Sequence, residues 1–460
     1  MPTRLSLVLL AVLLLGACRS GTPPYVRRLS VASTTPPSSL LRLPVHGGTA
    51  VLYHVPRLEP WGWRATDPMP ALERVVGADL DLGLVYLLGT KHDIITLDLQ
   101  TARPRPQAIT SVRDVTIGPD GTLFTVDDSL RVVQFVHRNP VRFAARLPAP
   151  PQALFGSRGP ALLALSRGAS SELSVLHDSD PAGRIMVPAG EASVTFWGDL
   201  VAIAADTAVV LIDPDQPETP ITLPIRGHVR AVVFSPSGHR FYVALKDPEL
   251  LVFNRFTREQ VGLIELPGSA GDLRLDPFGR WLLVRPPTAD SVWLVDLADN
   301  RYLQGFPAEW HPDLPTVTNQ QTLLVKAGKN VVAYDLSHRD FPESGRVAGG
   351  AEDLWLPLAW TPETGTATAA AAPPTEMDSA ATADSEATAV FLQVSSSQNR
   401  DWSRELARQL SQQGLPARVL DPRPGEDGFR VVLGPYPSRE AAESTGRGLG
   451  RPFFVYQPNR

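Results

Sequence analysis

The C-terminal stretch of this 460-residue chain carries side chains able to read a polar polymer. Phe391-Leu392-Gln393-Val394 opens one strand and Phe429-Arg430-Val431-Val432-Leu433 forms another. Side chains alternate across a strand. Leu392 and Val394 therefore share one face, and Phe391, Gln393 and Ser395 share the other. By the same rule Phe429, Val431 and Leu433 read as core, which leaves Arg430 and Val432 on the open face. Phe454 and Tyr456 share one side of a last strand. An amide donates and accepts at once, a guanidinium donates a fork of hydrogen bonds, and an aromatic ring offers a flat apolar face. Together these groups suit a sugar polymer. Its hydroxyls and N-acetyl amides pair with the polar groups, and its axial C–H surfaces pack on the rings. A site built on an amide also rejects ligands that leave that amide unpaired.

The elements that must hold these residues follow a βαββαβ order. A helix over 401–413 places Trp402, Leu406 and Leu410 on one face. Asn399 reads as its N-cap and Gly414 as the glycine that ends it. Ser438 reads as the N-cap of a second helix, with Glu440 in its first turn. This stretch holds ten arginines against seven acids, so it is mildly basic.

The F-x-Q-V opening and the F-R-V-x-x-G-P-Y centre resemble the SPOR (sporulation-related repeat) domain. That resemblance implies a small ferredoxin-like α+β fold and a glycan ligand. It also implies preference for glycan strands stripped of stem peptides, which accumulate at the division septum. Gln393 matches the family's first-strand Gln. Arg430 and Gly434-Pro435-Tyr436 match its central motif, and either Phe454 or Tyr456 matches its last-strand aromatic. Where the family usually has Gly and an aromatic after the first strand, this chain has Ser395 and Ser397.

Residues 49–360 repeat. Turn signals occur at 81–83, 118–121, 157–159, 197–199, 235–238, 276–279 and 318–321. Their spacing is about 40 residues, with about four short strands between turns, which is the period of a β-propeller blade. A polar residue ends a later strand in each unit: Asp98, His137, Asp178, Asp213, Asn254, Asp296 and Asp335. Such residues close turns by accepting from nearby backbone N–H groups. The units resemble YVTN and WD-type propellers. Seven turns predict seven blades. Either the strand at 50–53 or the one at 354–356 completes the last blade, with eight blades the other count open.

The N-terminus reads as an export signal. A short basic start precedes the apolar run 5–15, which is too short to span a bilayer. Leu15-Gly16-Ala17-Cys18 resembles a bacterial lipobox, and Cys18 is the chain's one cysteine. Acyl chains such as palmitate on Cys18 would anchor the protein. Arg19 leans toward the outer membrane, because Asp at that position retains enteric lipoproteins in the inner membrane.

The predicted order is therefore a signal peptide (1–17), an extended tether (18–44), an all-β seven-bladed propeller (45–360), a disordered Ala/Thr/Pro linker (361–388) and the α+β domain (389–460). A net charge of −5 gives no reason to expect nucleic acid. The nine scattered histidines show no metal-ligand spacing, so no metal or cofactor is expected. The functional expectation is a non-enzymatic envelope lipoprotein that grips peptidoglycan and presents its propeller to envelope proteins. The alternatives are a propeller lyase, lactonase or hydrolase localised by the C-terminal domain, and an outer-membrane assembly helper. The glycan-contacting residues expected are Gln393, Ser395, Arg430, Tyr436, Phe454 and Tyr456.

Overall fold

The computed structural model describes residues 38–362 and 390–456, except 81, 119–120, 137–138, 142–144, 157–161, 168–170, 177–182, 196–197, 288–289, 398–399, 413, 423–427 and 450–452. The signal peptide, Cys18, most of the predicted tether and nearly all of the predicted linker lie outside the described residues, as do His137, Asp178 and Asn399.

Each blade is a four-stranded antiparallel meander. In one, Val229–Phe234, Arg240–Leu245, Glu249–Asn254 and Gln260–Glu265 pair in sequence order. Val, Leu and aromatic residues dominate the two middle strands because those strands are covered on both faces. Arg240–Leu245 and Glu249–Asn254 are buried along most of their length, whereas Gln260–Glu265 is mostly exposed. The apolar contacts run between blades. Tyr242, Ala244 and Leu250 of this blade pack on Leu273, Leu282 and Val284 of the next.

The described residues form eight blades rather than seven. The eighth is composite, with Leu354–Leu358 pairing with Ser39–Leu43, followed by Val51–His54 and Pro60–Arg64. Both candidate closing strands therefore belong to one blade. It was missed for a physical reason: chain entry and exit replace the turn between its first two strands, so it shows no turn signal. The predicted tether is shortened accordingly, since residues 39–43 are a strand with Leu40, Leu41 and Leu43 fully buried.

Six of the seven expected turns are found, and the one at 157–159 lies outside the described residues. The first turn of successive blades closes with a backbone hydrogen bond between residues three apart, as in Gly238 N to Ser235 O (2.8 Å) and Gly279 N to Asp276 O (3.2 Å). Its last residue sits at positive φ, where glycine carries no steric penalty: Gly83, Gly121, Gly198, Gly238 and Gly279. The strand-end polar residues do close turns. Asp98 Oδ1 accepts from the N–H groups of Gln100 and Thr101, and Asn254 Oδ1 accepts from those of Phe256 and Thr257.

The C-terminal domain is a separate four-stranded antiparallel sheet. Its order is Ala417–Leu420, Phe429–Tyr436, Val390–Ser397, Phe454–Tyr456. Helices Arg400–Gln412 and Arg439–Gly448 pack on one face around Leu392, Val394, Leu406, Leu410, Val431, Leu433 and Ala442. Ser438 Oγ accepts from the Ala441 N–H (3.2 Å), as an N-cap does. Gly414 ends the first helix at φ +82°.

Candidate functional site

Gln393 sits at the centre of the helix-free face, where it registers with Val432 on one side and Phe454 on the other. Phe391, Val432, Leu420 and Phe454 form a small apolar cluster around it. Arg430 pairs with Leu420, and Arg418 places its guanidinium 4.7 Å from the Phe391 ring centroid. The amide, the guanidinium and one aromatic therefore share a face, as alternation requires.

Two β-bulges alter the rest. The first lies between Val390 and Leu392, where the partner strand passes through Gly434 and Pro435. The added residue shifts the alternation, and Tyr436 registers with Val390 and packs against the helix-side core. Tyr436 therefore does not share the face of Gln393, contrary to the sequence expectation. The second bulge, between Gln393 and Ser395, sets Ser395 opposite Val431, a helix-side core residue. It takes Ser395 out of the alternation that links Phe391 and Gln393, again unlike the expectation. A bulge inserts one unpaired residue, and a strict period of two cannot anticipate it. Of the two last-strand aromatics, Phe454 has its ring on this face. Tyr456 registers with Phe391, and its side chain lies outside the described ones.

The face is not open to solvent. Gln393 is 0% exposed and Arg430 2%. What covers them is the propeller, through turns that all lie on one side of the ring. The His239 imidazole stacks on Phe454, with centroids 4.7 Å apart and planes 19° apart. The Arg240 guanidinium lies 4.9 Å from the same Phe454 centroid. Phe256, from a neighbouring turn, comes so close to Gly428 that a Cβ there would fall 2.4 Å from the ring. Phe278 packs on Phe453 at 5.3 Å and joins the domain's own core. Arg280 Nη1 donates to both carboxylate oxygens of Glu443 (3.1 and 3.2 Å) while its Nε and Nη2 hold Asp296.

The electrostatics follow from this burial. Removal from water pushes the His239 pKa down to about 3, and the cations Arg240, Arg430 and Arg255 act in the same direction. The imidazole is neutral at physiological pH. Arg255 is itself buried against Asp199 (2.7 Å), so that cation is compensated. The Gln393 amide faces the His239 ring. Neither of its polar atoms, however, makes a hydrogen bond of good geometry. The site thus keeps a buried amide that a better partner would satisfy.

Sequence reasoning missed His239, Phe256, Phe278 and Arg280. A signal was present: the turns containing Arg255-Phe256 and Pro277-Phe278-Gly279 carry phenyl rings where turn residues are normally polar. Among the described residues no group of three or more His, Cys, Asp or Glu is placed to hold a metal ion.

Residues 386–447 match the SPOR domain family. No curated protein matches the chain. Among solved structures the chain is similar to AztD from Citrobacter koseri, with 11% identity and a TM-score of 0.50 over 70% of this chain and 98% of that one. It is also similar to the dihydro-heme d1 dehydrogenase NirN in complex with DHE, with 13% identity and a TM-score of 0.49 over 70% of this chain and 75% of that one. At such identities the likeness to AztD shows the propeller fold alone.

Proposed function

We propose that this protein is a non-enzymatic component of the bacterial cell envelope that binds the glycan strands of peptidoglycan through its SPOR domain. One observation carries the reading: the match of 386–447 to that family, with Gln393, Arg430 and Phe454 gathered on one sheet face. The preferred form of the polymer is glycan stripped of stem peptides, which would draw the protein to the division septum. A buried amide beside a guanidinium and a ring selects a ligand with alternating polar and C–H surfaces. The propeller serves as a rigid scaffold for envelope proteins, with its loops as the variable part. Cys18 carries the lipid, and the membrane is the outer one, facing the periplasm.

Sedimentation with sacculi tests the reading. A fragment spanning 386–460 should pellet better with amidase-stripped sacculi than with intact ones. Absence of pelleting with either form would refute glycan binding.

A further inference from the structure

The groups offered to glycan are the groups the propeller covers. Phe391, Gln393, Arg430 and Val432 are all fully or almost fully buried, although a two-layer α+β domain leaves that sheet face exposed when it stands alone. The covering contacts come from two turns on one side of the ring, at His239–Arg240 and at Phe256, while Phe278 and the Arg280–Glu443 ion pair fasten the domain beside that face. The turn at His239 and Arg240 also presents what a sugar would. A flat ring lies on Phe454, a polar edge faces Gln393, and a donor group lies over the aromatic face.

We propose that this propeller turn is a built-in mimic of the ligand, so that the chain closes its own glycan site and must part its two domains before it can grip the wall. The inference rests on the glycan reading above. The occupant of the site in the closed state is the propeller of the same chain. Residues 363–389 supply up to about 90 Å when fully extended, enough for the domain to leave the ring without either unfolding. The closed contact is also imperfect where it matters. The Gln393 amide is buried without a good hydrogen bond, and a glycan that satisfied it would gain what the propeller leaves unmade. The Arg280–Glu443 pair stands apart from the sheet face, so it holds the closed state without being part of the binding surface. Masking lowers apparent affinity by the open fraction: a site closed nine-tenths of the time binds about ten-fold more weakly.

The test uses the full-length chain in two opened forms. Gly428→Leu drives a side chain into Phe256 from the SPOR side. Its backbone is not at positive φ, so the residue itself is tolerated. His239→Lys acts from the propeller side by setting a fourth cation beside Arg240, Arg255 and Arg430. Solution scattering reads domain separation, and pelleting with amidase-stripped sacculi reads binding. The expected result is a compact wild type, a larger radius of gyration for both variants, and pelleting raised about ten-fold. A wild type as extended as the variants overturns the proposal. So does equal pelleting of wild type and variants, and that result leaves the glycan reading intact. Variants that open but pellet no better than a no-sacculus control overturn the glycan reading, and the masking proposal with it.

Discussion

The His239 imidazole lies flat on the Phe454 ring, 4.7 Å between centroids, although the two residues are separated by more than two hundred positions. One belongs to a propeller turn and the other to the last strand of the SPOR domain. The contact therefore reports whether the two domains are joined.

Closure should weaken in acid. In the closed state the buried His239 takes up a proton only near pH 3, whereas a released imidazole titrates at the ordinary value of 6.5. Protonation therefore favours the released form. Closure is fully supported above pH 6.5 and is lost at about ten-fold per pH unit below it, until the closed form itself titrates. The neighbouring cations Arg240, Arg430 and Arg255 push the buried imidazole in the same direction. The radius of gyration from solution scattering should rise between pH 7.5 and 5.5 in the wild type and stay flat in His239→Gln.

Gln393→Ala in an opened background should reduce glycan pelleting by about 1–3 kcal/mol, the cost of unmatched polar groups on a ligand. Phe454→Ala should do the same through lost ring packing. A folded variant that binds as well as its parent would remove that residue from the site.

Tyr436 separates the bulged register from the simple alternation. Because its ring packs on the helix side, Tyr436→Ala should destabilise the domain by about 1–3 kcal/mol. Pelleting per folded molecule should not change. A binding defect at unchanged melting temperature would return Tyr436 to the glycan face.

Ring closure depends on a buried ion pair. Lys326 Nζ lies 2.9 Å from Asp313 Oδ2 and donates to the Asp353 carbonyl, and the same Asp313 carboxylate accepts from the Trp355 N–H of the closing strand. Asp313→Ala strands a buried ammonium and should cost about 3–5 kcal/mol. Replacing both residues, Lys326→Met with Asp313→Leu, should recover most of that loss. Chemical denaturation with separate probes for the two domains would measure it.

How much could be read from sequence differs by level. Alternation placed Leu392, Val394, Val431 and Leu433 in the core and Gln393 with Arg430 opposite, because a strand's period of two needs no partner to define it. Gly238, Gly279 and their counterparts announced the blade turns, because a left-handed backbone selects glycine locally. Tyr436 and Ser395 were misplaced because bulges depend on how two strands pair. The eighth blade escaped because Leu41 and Leu356, which pair in it, lie at opposite ends of the ring sequence.

The sequence by itself determined the propeller repeat, the SPOR domain and the residue types of its candidate site. All three rest on local periodicity and turn chemistry. Only the tertiary structure decided that the ring closes with eight blades and that the SPOR face is covered. Both depend on contacts such as Leu41 with Leu356 and His239 with Phe454, between segments far apart in the chain. Complementary shape and burial select such contacts, and no period along the sequence records them.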